Sequence, residues 1–110
     1  MTDKIADIDY KAVAAQVIDE IKKDWDEYKK LPEASRAVYE KAVNDLASLS
    51  MLMTEAAPSE TEAIKKEIEI VKVSICSLAA VPEMFLFRKT VNIIGGILGA
   101  ACKAALVGFL

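Results

Sequence analysis

The side chains of this chain that could do chemistry are few in kind. Carboxylates gather most densely at Asp24, Asp26 and Glu27 around Trp25, a grouping that offers a cation site or an acidic docking patch. Lys22, Lys23, Lys29 and Lys30 interleave with them, so a solvated helix face is the favoured reading. Trp25 reads as a bundle-core or interface side chain rather than a ligand platform. Cys76 and Cys102 are the only thiols. Two thiols cannot build a four-thiolate zinc site, and in this apolar helical context they read as buried, reduced residues rather than a disulfide. Histidine is absent, which removes a histidine base, a histidine metal ligand and any Ser-His or Cys-His pair. Gly95, Gly96 and Gly99 could be misread as a phosphate loop, but they follow no strand and lead to no Lys-Ser or Lys-Thr pair. No cofactor, no metal and no enzymatic activity are expected; a carboxylate-only enzyme ranks last.

What remains is the chemistry of packing, concentrated in residues 90–110. That stretch reads TVNIIGGILGAACKAALVGFL, with Lys103 as its single charge. Gly96, Ala100, Ala104 and Gly108 recur every fourth position, and Gly95 with Gly99 repeats the spacing one residue earlier. On one continuous helix these small residues leave a groove for close approach of another helix. They are the expected helix-packing and oligomerisation residues. A helix of this length spans roughly 31 Å, against about 30 Å for a hydrocarbon core. Arg88 and Lys89 precede the segment, and with Lys103 they are read as interfacial or lumenal charge. Lys103 weakens a spanning role, since a lysine at the bilayer centre costs roughly 2.5 to 3.5 kcal/mol on insertion scales.

The elements that must position these residues are helices. Pro32, Pro58 and Pro82 divide the chain into four stretches, and proline suits a first helical turn while disfavouring helix just before it. Apolar residues step by three and four through Ala14, Ile18, Ile21, Trp25 and Tyr28, through Tyr39, Ala42, Leu46, Leu49 and Met53, and through Ile64, Ile68, Val71, Ile75 and Leu78. Each set forms a seam about two heptads long, so bundle or coiled-coil-like packing is expected rather than a long rod. Ser59 and Glu62 match a capping box at the third helix. Around Pro82 two outcomes are open: a kink giving one long arm, or a turn giving a hydrophobic hairpin around Arg88 and Lys89. Met51 and Met53 read as core, or as an adaptable partner-binding surface.

Composition sets the remaining bounds. The 110 residues suit one helical domain, and their 54% hydrophobic content exceeds the ordinary level of about 45–50%. Residues 1–69 hold 10 basic and 16 acidic side chains, whereas residues 70–110 hold 4 basic and 1 acidic. An acidic amphipathic front half argues against nucleic acid. The apolar, mildly basic back half matches a segment that meets lipid or another apolar surface. The N-terminal MTDKIADIDYK has no apolar core of a secretory signal, so synthesis in a cytoplasm is expected. The resulting expectation is a non-enzymatic, all-α subunit of a homo-oligomeric assembly. It would self-associate through its last helix and contact or enter a membrane, as a structural, conduit or injection-type component. The competing expectation is a soluble four-helix binding module of adaptor, immunity or inhibitor type, its apolar tail covered by its own core or by a protein partner.

Overall fold

A computed structural model describes residues 8–78 and 85–110, with backbone alone at Asp26 and Glu27. Among the described residues five α-helices run in the order α1 (Tyr10–Asp24), α2 (Glu33–Glu55), α3 (Thr61–Cys76), α4 (Phe85–Leu98) and α5 (Ala100–Val107), with a 3₁₀ turn, Asp26–Lys30, between α1 and α2. No strand occurs among the described residues, and the chain is an all-α bundle. Its radius of gyration is 13.4 Å, close to the roughly 13 Å expected of a folded domain of this length. The extents are 40 × 24 × 23 Å. The longest helix, α2, has 23 residues, a rod of about 34 Å.

α1 begins where Asp9, in extended conformation, accepts hydrogen bonds at Oδ1 from the Lys11 and Ala12 amides at 3.1 and 3.2 Å. This satisfies two donors that the first helical turn leaves unpaired. An aspartate directly before an amphipathic run is a readable signal that the sequence analysis missed. The first seam buries Ala14, Ile18, Ile21 and Tyr28, as expected. The helix itself stops at Asp24, because Trp25 turns extended (φ −140°, ψ 94°). The seam's last step therefore lies in the 3₁₀ turn, where Tyr28 meets the Tyr39 ring edge-on at 5.8 Å and Trp25 meets Phe85 at 6.2 Å. Aromatic edge contacts of this kind add to what area burial alone supplies.

α2 is the hub, touching every other helix. It buries Tyr39, Ala42, Val43, Leu46, Ala47, Ser50 and Met51, a stripe broader than the narrow seam expected, because neighbours approach from more than one side. Met51 is core, Met53 is half-buried, and Leu52 faces outward. The Ser59–Glu62 capping box is not what starts α3, which begins without a side-chain cap. Instead the Glu60 amide donates to the Ala57 carbonyl at 2.8 Å, and the Ala57 amide donates to Glu60 Oε1 at 2.9 Å. Pro58 at the second position of that turn presets its geometry, and Glu60 is the carboxylate within reach. α3 buries Ile68, Val71 and Ile75 from its expected seam.

Pro82 lies outside the described residues. The helices on either side of it, α3 and α4, pack against each other. Arg88 and Lys89 are not the bend of a hairpin, since both sit within α4.

One buried polar pair ties α2 to α4. Thr90 Oγ1 donates to the Leu86 carbonyl at 2.7 Å, which leaves the Tyr39 hydroxyl to donate to Thr90 Oγ1 at 2.6 Å. Burial pushes the Tyr39 pKa well above its ordinary value near 10. A raised native pKa gives stability that is complete below about pH 10 and is lost as pH climbs towards the native value. Tyr39→Phe should cost about 1 kcal/mol at neutral pH, since Thr90 keeps its carbonyl partner, and should flatten the alkaline loss. Urea unfolding at neutral pH and above pH 10 reads both effects.

Candidate functional site: the C-terminal helical hairpin

The residues singled out for packing do not form one helix. Gly99 has φ 110° and ψ 171°, a region open essentially to glycine alone. Its amide still closes α4 by donating to the Gly95 carbonyl at 2.9 Å, while its own carbonyl accepts from the Lys103 amide at 3.2 Å and opens α5. The direction change is abrupt. On a continuous helix residues 95 and 103 would stand about 12 Å apart along the axis. Here a methyl placed on Gly95 would lie 2.6 Å from Lys103 Cβ.

This overturns the expectation of a single 21-residue helix carrying a ladder of small residues. Gly96 belongs to α4, Ala100 and Ala104 to α5, and Gly108 follows it. All four are exposed. Gly95 is a close-approach position, as expected of it, but what approaches is the Lys103 stem of its own chain. Gly99 is the hinge. α4 has 14 residues, about 21 Å of helix. Among the described residues no helix is long and apolar enough to cross a membrane.

The larger apolar side chains of the hairpin point into the bundle. Leu86, Phe87, Val91 and Ile94 from α4 and Cys102 and Leu106 from α5 are buried, packed where α4 meets α1, α2 and α3 and where α5 meets α2. The Cys102 thiol donates to Met51 Sδ at 3.1 Å, and neither cysteine is in a disulfide. The three cations differ in role. Arg88 is exposed. Lys89 reaches Asp24 Oδ2 at 3.3 Å and lies 5.6 Å from the Phe85 ring centroid, linking α4 to the end of α1. That pair is largely solvated, so its direct contribution is small, about 0–1 kcal/mol. Lys103 covers Gly95 with its aliphatic stem while remaining exposed, the usual way a lysine shields apolar surface.

What the hairpin leaves outside is apolar but small. Gly96, Ala100, Ala101, Ala104 and Gly108 are exposed, joined by Val107 and Leu110. A second unpartnered pair lies on α3, where Ile70 and Val73 are 61% and 63% exposed. Of the acidic grouping around Trp25, Asp24 is taken up by Lys89, and the Asp26 and Glu27 side chains lie outside the described atoms. Among the described residues, no three acidic or thiol side chains converge as a metal site would require. Comparison with protein-family models, with curated proteins and with solved structures finds no match to this chain.

Proposed function

We propose that this protein is a non-enzymatic helical interaction module of adaptor, immunity or inhibitor type, which covers its apolar tail with its own core and binds protein partners through exposed helix faces. The observation that supports this reading is where large side chains of the tail go: Val91, Ile94 and Leu106 are fully buried within one copy. A segment spent on its own core has little left to drive insertion into lipid. Among the described residues Ile70 and Val73 on α3 are the most exposed of the large apolar side chains, and so the most available to a partner.

The second reading is a self-associating subunit with membrane contact. It is favoured by the outer face of the hairpin, where Ala100, Ala104, Val107 and Leu110 are exposed together with Gly96 and Gly108. Such a face suits close helix approach by a second copy or contact with a lipid surface.

Light scattering on the full chain in detergent-free buffer, with liposome flotation of the same sample, separates the two. The module reading expects the mass of one copy and no flotation. A defined oligomer, or flotation, supports the second. Nothing lies within 4 Å of a Cβ at Gly96, so Gly96→Leu fits the single copy. Together with Ala100→Leu it should lower the mass of an oligomer built on this face, while Ala34→Leu on α2 should not.

A further inference from the structure

A cleft of about 330 Å³ opens between α1, the 3₁₀ turn and the first turns of α2, and Lys22, Tyr28, Glu33, Arg36 and Glu40 line it. Two of these residues are in unusual states. Arg36 Nε is withdrawn from solvent and has no hydrogen-bond partner. Glu33 and Glu40, three positions before and four after it, are the usual helical partners of an arginine, yet neither is within ion-pair distance among the described residues. Lys22 pairs with no carboxylate among the described side chains, and its Nζ lies 5.9 Å from the centroid of the Tyr28 ring. Tyr28 is itself buried and lines the cleft with both cations.

A buried donor left unpaired costs about 1–3 kcal/mol, and native structures seldom carry one without water, an ion or a ligand to satisfy it. The guanidinium fork matches the oxygens of a carboxylate or phosphate, and a nearby ammonium adds a second charge. The cleft volume is at the small end of ligand sites. Glu33 and Glu40 stand exposed at the same cleft, where their charge opposes any anion through solvent, and the small volume restricts the occupant to a compact group. From these features we infer that the cleft binds a compact oxyanion, a carboxylate or phosphate group held by Arg36 with Lys22 beside it. This site is separate from the hairpin and stands whichever surface partners use.

The test is a nuclear magnetic resonance titration of the isotope-labelled full chain with sodium phosphate, and separately with sodium acetate, each against sodium chloride at matched ionic strength. The Arg36 Nε–Hε signal and the backbone amides of residues 33–37 should shift saturably in one or both arms, and the arm saturating at lower concentration names the preferred oxyanion. Lys22→Gln should weaken the response roughly fivefold, the scale of one half-exposed charge. Arg36→Gln should abolish the amide shifts while amides of α3 to α5 keep their positions. Shifts that follow ionic strength alike in all three salts overturn the site. So does a saturable response left unchanged by both substitutions.

Discussion

Gly99→Ala should destabilise the fold by about 1–3 kcal/mol, the range for a non-glycine residue held in a sparsely allowed backbone region. The cause is conformational rather than steric, because a Cβ at Gly99 meets nothing within 4 Å. The variant has one way to escape the strain, which is to let α4 run on through residue 99 as ordinary helix. That would carry Cys102 and Leu106 away from α2 and expose the apolar surface they now cover. Two readouts follow. Denaturant unfolding should show the lost stability, and light scattering should show more self-association than the parent chain. Parental stability in Gly99→Ala would refute the hinge.

Neighbouring glycines four and three positions earlier should respond with opposite signs. Gly95→Ala places a methyl 2.6 Å from Lys103 Cβ and 2.9 Å from its Cγ and Cδ. Cβ is anchored to the α5 backbone and cannot swing aside, so α5 itself must shift, at a cost of about 1–3 kcal/mol for overpacking. Gly96→Ala meets open space inside the same helix and should stabilise by about 0.5–1 kcal/mol through the entropy of the unfolded chain. Lys103→Ala should not rescue Gly95→Ala, since the clashing Cβ remains. Lys103→Gly should recover part of the loss, and a double-mutant cycle measures that coupling. If Gly95→Ala and Gly96→Ala behave alike, the hairpin is not closed as described.

These paired outcomes matter for function because they separate the two readings of the tail. On one continuous helix, as residues 90–110 read by themselves, Gly95 and Gly96 are equivalent members of adjacent ladders awaiting an external partner. In the folded hairpin Gly95 serves the chain's own closure and Gly96 remains outside. Stability should therefore report on Gly95, and association on Gly96 and Ala100.

The all-α class, the breaks near Pro32 and Pro58 and the inward faces of the first three helices follow from the sequence by itself. The reason is that these are local properties. Ala14, Ile18 and Ile21, or Ile68, Val71 and Ile75, share a face on any helix that contains them, and proline restricts its own φ and the residue before it whatever surrounds them. Four features were decided only by tertiary structure: the extended turn at Trp25, the reversal at Gly99, the burial of the tail in its own core, and the cleft that leaves Arg36 unpaired. Each is a choice among conformations that the local sequence permits equally. Glycine tolerates both the helical and the positive-φ state, so the letters GGILGA are consistent with a straight helix and with a hinge. What selects the hinge is area: folding back buries Cys102 and Leu106 against α2, and burying a side chain such as leucine is worth about 1.5–3 kcal/mol. A straight tail would forgo that gain unless a partner or a membrane supplied it, and no local pattern of residues records which of these surfaces is closest.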